Sequence, residues 1–373
     1  MSQQPWGNAP ARRTGWPQAS PSGPWGAPSG QRWSQPPAAW PPAPPQGGFP
    51  NRRPPHRRGF FGTLVRLALF VVALMVVLSV LRGFVSAAGE QSGQQPDTPG
   101  QPAEGGYVNE GYQPPPPDMN PPELPAPSTV GEARNLLTAN PVYDQSVPVP
   151  TNCQMARIDP RTASRSQLQT HLNDLMGCLM TVWEPPVTSA GFQLPRPPVY
   201  VYDQPIRTAC GVMKEVNAAY CAGDQRVYYA QPLLRAFPTS VQQTPHAAET
   251  IIAHEFGHAV QARTGILISD KALEQRASAS EARQMSRRAE TQADCLSAQY
   301  VRSVAQSQNL GEANLEQLRQ LAYNIGDDVL SGNPGIDEGH GLGRSRQGWF
   351  TTGLGSSQVG VCNSWVAPAS SVR

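Results

Sequence analysis

Large apolar residues recur at helical spacing in several stretches after residue 145. In residues 164–183 they stand three or four positions apart, which predicts a helix with one face in the core. The members of this stripe are Leu168, Leu172, Leu175, Leu179 and Trp183. A second helix is predicted between Thr244-Pro245, which suit its first turn, and Gly265, which suits its end. Two more helices are predicted over about residues 270–306 and 311–331.

A small strand region precedes these later helices. The stretches PVYVY at 198–202 and RVYY at 226–229 predict two strands, with a turn signal at 222–224. The tail over 332–373 is rich in glycine, so we expect it to be irregular. A short strand region followed by mostly helical sequence predicts the α+β class.

One segment, RLALFVVALMVVLSVLR at 66–82, is apolar without the polar interruptions of these helices. Residues 60–85 are long enough for a single transmembrane helix if the flanking arginines reach the head groups. Seven arginines and no acid precede the segment, whereas only acids follow Arg82 until Arg134. This asymmetry predicts a signal anchor in the cell membrane, with a cytoplasmic N-terminus and everything after about residue 85 outside. The alternative is a cleaved signal peptide, whose charged region of about sixty residues would be far longer than normal.

Proline-rich sequence flanks this anchor on both sides. Most of the 41 prolines lie in residues 5–55 and 96–127, where branched aliphatic residues are scarce and no core can form. We therefore predict a disordered cytoplasmic arm over 1–59, a Pro-rich tether over 86–145 and one folded domain over 146–373. The arm is most simply a solvated low-complexity segment, and the alternative is a ligand for a cytoplasmic partner. The net charge of +2 argues against nucleic-acid binding.

The stretch AHEFGHAV at 253–260 carries the chemistry of the folded domain. His254 and His258 are four residues apart, so on a helix they lie about 40° apart and one turn along the axis. Both imidazoles can then bind one tetrahedral metal ion. Glu255, rotated by about 100° from His254, is placed beside the metal as a general base. A helix with two surface histidines is the alternative, and it predicts no third ligand.

A third ligand is available in RAETQADCLSA at 288–298. Glu290 and Asp294 are again four residues apart on a predicted helix, so they share one face. Glu290 completes a two-histidine, one-carboxylate zinc site with an open position for water. Asp294 can accept a hydrogen bond from the free nitrogen of a ligating histidine and fix its tautomer.

The motifs HEFGHAVQ and ETQADC resemble HEFGHHVQ and ELQADC of the bacterial putative neutral zinc metallopeptidase family. The stretches YCAGDQRVYY (220–229), IGDDVL (325–330) and HGLGRSRQGWF (340–350) resemble further motifs of that family. The resemblance covers about residues 200–363. It implies a zincin-like fold, one Zn²⁺ and peptide-bond hydrolysis, with His254, His258 and Glu290 as ligands and Glu255 as the base.

Three further expectations follow from this resemblance. His340 and Arg346, in the family-like tail, are candidate donors to the oxyanion of the transition state. By analogy with zincins, residues 226–229 are a candidate edge strand for pairing with substrate. The six cysteines all lie on the predicted outer side, which indicates disulfides. Of the fifteen pairings that six cysteines allow, the comparison favours Cys210–Cys221 and Cys295–Cys362, which leaves Cys153–Cys178.

The sequence thus predicts a membrane-anchored, extracytoplasmic zinc metallopeptidase that acts on peptides or proteins of the cell envelope. Zinc would activate the attacking water, and Glu255 would transfer its proton to the leaving amine. One rival is a non-catalytic, zinc-containing binding or scaffold protein of the envelope. The intact Glu255 argues against that rival, since a structural site needs no base. The other rival is a zinc hydrolase that acts on a non-peptide bond.

Overall fold

The computed structural model describes residues 106–213 and 216–373. The predicted arm (1–59), the predicted anchor (60–85) and the first part of the tether lie outside these described residues. Within the described ranges, no helix combines the length and the apolar character needed to cross a membrane.

The described residues form an α+β structure, as the sequence predicts. Its helices, in chain order, are α1 Val130–Thr138, α2 Arg165–Ser189, α3 Leu233–Ala236, α4 Thr239–Gln242, α5 Ala247–Arg263, α6 Ile266–Glu274, α7 Ala279–Val304, α8 Glu312–Asn324, α9 Asp327–Ser331 and α10 Gly343–Gly355. The strands are β1 Val199–Tyr202, β2 Ile206–Thr208, β3 Gly211–Met213, β4 Ala218–Cys221 and β5 Arg226–Ala230. Short 3-10 turns lie at Pro141–Asp144, Val359–Cys362 and Ala369–Ser371.

The sheet is small and mixed. Its strand order is β1-β5-β4, with β1 parallel to β5 and β4 antiparallel to it. A separate antiparallel hairpin joins β2 and β3. The expectation that residues 226–229 form an edge strand is therefore wrong, because β5 lies in the middle of its sheet. The edge next to α5 is β4, which follows the hairpin in the chain and contacts that helix.

The core forms where α2, α5 and the sheet meet. The predicted apolar stripe of α2 is fully buried, and Ser164 begins that helix with a capping box. Helix α5 is buried on nearly all sides, and it packs on α7 at close range. A Cβ atom at Gly257 would stand 3.2 Å from the Cα and carbonyl oxygen of Ala293. Glycine at 257 therefore allows the two helices that carry the metal-site motifs to approach each other.

Several predicted boundaries of the helices are wrong. Helix α5 begins at Ala247 rather than after Thr244, and its N-cap His246 adopts a left-handed conformation with φ of 59°. The long helix predicted over 270–306 is two helices, because Ser278 caps the start of α7 with Glu281. The pattern over 311–331 also divides, into α8 and α9.

The tail is not irregular as predicted, since α10 occupies its centre and packs along α7. Its glycines allow this contact, because a Cβ atom at Gly353 would lie 2.1 Å from the carbonyl oxygen of Cys295. Pattern analysis misses such a helix because glycine has a low helix propensity, which tertiary packing overrides here.

Part of the sequence assigned to the tether belongs to the folded structure. Helix α1 packs on α6, and the proline-rich residues before it lie on the domain surface. Arg263 donates to the carbonyl of Pro122 at 2.8 Å, and Arg196 donates to that of Pro115 at 3.1 Å. Residues 106–145 therefore pack on the domain, and the folded part begins earlier in the chain than the predicted boundary near residue 145.

Three disulfides join the described cysteines as Cys153–Cys178, Cys210–Cys221 and Cys295–Cys362. These are the pairs that the family resemblance led us to expect. The first ties the start of the domain to α2, the second ties the β2–β3 hairpin to β4, and the third ties the tail to α7.

Candidate metal centre

Two helices bring the predicted ligands together at the wall of a cleft. Helix α5 carries His254 and His258, and α7 carries Glu290. The candidate ligand atoms of these three residues all lie within 4.8 Å of one another. The Nε2 atom of His254 is 3.2 Å from Glu290 Oε2, and the Nε2 atom of His258 is 3.6 Å from Glu290 Oε1. The three side chains converge as a metal-binding group requires.

Asp294 orients the first histidine. Its Oδ1 atom lies 2.9 Å from His254 Nδ1, so that nitrogen donates to the carboxylate and Nε2 is the nitrogen that faces Glu290. Arg346, from α10, holds the same carboxylate with two hydrogen bonds of 2.9 and 2.8 Å. It also donates to the carbonyl of Ile325 at 3.0 Å. The position of His254 thus depends on a buried ion pair between α7 and α10.

Gln261 orients the second histidine. Its Oε1 atom lies 2.8 Å from His258 Nδ1, and its amide nitrogen donates to the carbonyl of Ala289 and to Gln292. The sequence prediction missed Gln261 and Gln292, although both lie inside the quoted HEFGHAVQ and ETQADC motifs. For Gln261 the sequence did contain a clue, because it follows His258 by three residues and therefore lies on the same face of the helix.

The electrostatics of the group suit a cation. Burial lowers the pKa of His254, but the adjacent Asp294 and Glu290 carboxylates outweigh it and raise that pKa to about 10. Burial raises the pKa of Glu290, but His258 and His254 outweigh it and hold that pKa well below its usual range. Without a metal the buried carboxylates therefore retain a proton on an imidazole. A divalent ion bound to the same side chains would supply the positive charge instead, and its binding would release the proton.

The donor set fits zinc. Two imidazole nitrogens and one carboxylate, with room for a fourth ligand, form a common catalytic zinc set. Both Nδ1 atoms are already engaged by Asp294 and Gln261, so each ring offers one nitrogen to the metal. Most histidine ligands of metal ions donate their other ring nitrogen to a hydrogen-bond partner in this way. The residues present therefore fit the ion that the sequence predicts.

Glu255 lies beside this group at the edge of the sheet. It is 8% exposed, and its Oε2 atom accepts a hydrogen bond of 2.8 Å from the backbone N–H of Tyr220 in β4. The carbonyl of Asn217 accepts a hydrogen bond from the backbone N–H of Ala230 in β5. In an antiparallel pair every second residue is hydrogen-bonded to the partner strand, so the N–H and C=O groups of Ala218 and Tyr220 point away from β5. The free edge of β4 therefore faces the side on which Glu255 lies.

His340 and Arg346 both border the cleft, but they make different contacts. His340 lines the cleft, and its Nδ1 atom lies 3.2 Å from Asp327. Burial lowers the pKa of His340, but the Asp327 hydrogen bond and the charge of Glu290 raise it above its ordinary value. Donation by His340 to a substrate oxyanion stays a prediction. The guanidinium of Arg346 is directed to Asp294 and to the carbonyl of Ile325. Donation by Arg346 to an oxyanion also stays a prediction.

The cleft has a volume of about 340 Å³. Its walls come from the β2–β3 hairpin, β4, the helices α3 and α5 to α10 and the loops next to them, and all the candidate metal-binding and catalytic residues border it. This volume falls in the lower part of the range for ligand pockets. The cleft can therefore hold a short stretch of extended chain against the metal centre.

Two bacterial proteins of similar sequence cover about half of this chain. The uncharacterized protein YpfJ of Escherichia coli (strain K12) is 30% identical over 190 residues, which cover 49% of this chain and 66% of YpfJ. The uncharacterized protein Rv2575 of Mycobacterium tuberculosis (strain H37Rv) is 28% identical over 191 residues, covering 46% of this chain and 63% of the relative. The chain thus spans just under two thirds of the length of these relatives. No solved structure shows significant similarity to it.

The match to a sequence family is more extensive. Residues 133–365 match the family described as putative neutral zinc metallopeptidase. This range contains both helices of the metal centre, the sheet and the tail helix that holds Asp294. With most of its described residues inside the match, the chain belongs to the putative neutral zinc metallopeptidase family.

Proposed function

We propose that this protein is a zinc-dependent peptidase, anchored in the cell membrane, which hydrolyses peptide bonds outside the cytoplasm. The observation that carries the proposal is the convergence of His254, His258 and Glu290 beside Glu255 at a free strand edge. A zinc ion on these ligands would polarise the scissile carbonyl and lower the pKa of a bound water. We also propose that the relation of α5 to β4 is zincin-like.

The residues around the metal have separate tasks in this proposal. Glu255 accepts a proton from the attacking water and passes it to the amine nitrogen of the leaving group. Tyr220 fixes one oxygen of that carboxylate, which leaves the other oxygen to exchange the proton. The free edge of β4 binds the substrate backbone as an added strand. Ala218, which borders the cleft, has an N–H and a C=O directed away from β5 that can exchange two hydrogen bonds with one substrate residue.

The proposed location rests on different observations. Three disulfides within one domain are typical of an oxidising compartment. The seven arginines that precede the apolar segment favour a cytoplasmic N-terminus. The substrate would then be a peptide or protein of the cell envelope. Protease added to intact spheroplasts should remove the domain and spare the arm, and the reverse pattern would reject this orientation.

Glu255→Gln tests the chemistry. We expect the full chain with this change to bind one zinc per protein but to cleave a mixed peptide library roughly 10²- to 10⁴-fold more slowly. Glu290→Ala should weaken zinc binding itself. Glu316→Gln is a matched control on the exposed face of α8 and should keep both properties. Wild-type cleavage by the Glu255→Gln protein would reject the general-base role, and zinc without any cleavage would favour the binding-protein alternative.

A further inference from the structure

The cleft extends along helix α5, from its N-terminal part to the start of α6. Helices α5 and α7 are antiparallel, since His254 meets Asp294 whereas Gln261 meets the carbonyl of Ala289. The cleft is lined on both sides of the candidate ligands, by Thr250 and Ile251 before them in the chain and by Leu267 and Ile268 after them, so it has two ends. One end follows the N-terminal part of α5, and the other follows its C-terminal part toward α6.

The two ends differ in the side chains that line them. Beside the N-terminal part of α5, the cleft is lined mainly by large apolar residues from α3, α5, α8, α9 and the loops next to them. We call this set the apolar end, and its members are Leu233, Phe237, Ile251, Leu321, Ile325 and Leu330. At the other end, Leu267 and Ile268 are joined by Lys271 and Ser286. Lys271 carries a charge there, with Asp270 and Glu274 as its partners.

No charged group of the described residues lies among the apolar end. Arg346 donates to the carbonyl of Ile325, a member of this set, but its charge is already paired with Asp294. Two hydroxyls also border this end, those of Thr250 and Ser297. Ser297 already donates to the carbonyl of Asp294 at 2.8 Å. A carboxylate or ammonium placed here would lose its hydration without gaining a counterion, which is unfavourable.

The apolar end is also close to the reacting position. Ile251 precedes His254 by three residues, a rise of about 4.5 Å along the helix. An extended peptide advances about 3.3 Å per residue. A substrate lying on β4 beside the candidate metal ligands would therefore need only about one residue to reach the level of Ile251.

We propose that the apolar end is the pocket that determines specificity, and that it accepts a large aliphatic or aromatic side chain at a position next to the scissile bond. This inference rests on the proposed peptidase function and adds the substrate class. Burying a Leu or Phe side chain in such a pocket, compared with Ala, is expected to raise kcat/KM on the order of 10- to 100-fold. Aspartate, glutamate and lysine at that position are expected to be rejected.

Leu330→Lys is the change that tests the pocket. Leu330 is half-buried on α9 and lies outside the packed core cluster, so the fold should tolerate a charge there. The lysine should abolish the preference for apolar side chains and favour acidic ones. Gln320→Lys adds the same charge on the exposed face of α8 and should leave the preference unchanged. The zinc-loaded full chain and both variants would digest a peptide library, and the cleaved positions would be sequenced.

A binding measurement keeps the test independent of turnover. Peptide hydroxamates with leucine or aspartate next to the zinc-binding group, extended on either side, would be titrated into the zinc-loaded Glu255→Gln protein. We expect leucine to bind at least 10-fold more tightly than aspartate in one of the two series, and Leu330→Lys to remove this difference. Equal binding in both series, or library cleavage without an apolar preference, would overturn the inference. Leucine-selective binding without any library cleavage would support the pocket and reject the peptidase function.

Discussion

Asp294 and Arg346 form a buried ion pair. Replacing either residue removes the pair, and the structure predicts how the stability losses of the single variants and the double variant compare. The side chains are 4% and 6% exposed, and two hydrogen bonds join them. Asp294→Asn removes the countercharge of a guanidinium that cannot lose its proton. Breaking a buried pair in this way destabilises a protein by about 3–5 kcal/mol.

Arg346→Met removes the other partner with a smaller consequence. Asp294 keeps its contact with His254, whose proton is retained in the metal-free protein because Asp294 and Glu290 raise its pKa to about 10. We therefore expect Arg346→Met to cost less than Asp294→Asn. The double variant leaves no unpaired charge, so its loss should be smaller than the sum of the single losses by about 1–3 kcal/mol.

The assay is the free energy of unfolding from denaturant titration of the zinc-free protein with its disulfides intact. Zinc must be absent because a ligand that binds only the folded state adds to the measured stability. Zinc affinity is measured separately by competition with a chelator, and Asp294→Asn should lower it about 10- to 100-fold. Additive single losses, or an unchanged zinc affinity in Asp294→Asn, would refute the role given to this pair.

Two further predictions concern the packing around the site. Gly353→Ala should destabilise the protein by about 1–3 kcal/mol, because its Cβ atom would meet the Cys295 carbonyl oxygen at 2.1 Å. Gly348→Ala on the exposed side of the same helix has space for a Cβ atom and should be neutral or stabilising, and equal losses in denaturant would contradict this account. His171 lies 2.8 Å from Glu249, and although its burial alone would lower the pKa of that histidine, the carboxylate raises it. The contribution of His171 to stability is then full below about pH 6.5 and is lost as pH rises through the raised pKa. His171→Gln should therefore lose more stability at pH 5.5 than at pH 8.5, and a loss that does not vary with pH would argue against a charged pair.

The local sequence pattern was sufficient to predict those helices whose apolar spacing matches the side chains that the fold buries. The apolar stripe from Leu168 to Trp183 predicts α2 correctly, because the residues that repeat at helical spacing are also the ones that are buried in the core. The spacing of His254 and His258 predicts a shared face because α5 is a regular helix. Periodicity depends on the backbone alone, so these inferences did not need the rest of the chain.

The errors occur where tertiary contacts outweigh local preference. The glycine-rich tail is helical at 343–355 because Gly353 lies directly against α7. The proline-rich residues near 115–122 pack on the domain because Arg196 and Arg263 bind their carbonyls. In both cases the deciding partner is more than 50 residues away in the chain.

The sequence by itself identified the residue types that can bind zinc, the helix that presents two of them, and the carboxylate of Glu255 beside them. Helical geometry fixes those relations within about one turn. Only the tertiary structure decided that Arg346 holds Asp294, that Gln261 orients His258, and that β4 rather than β5 is the free edge. These relations join segments far apart in sequence, and the side-chain packing that sets them leaves no periodic signal in the chain.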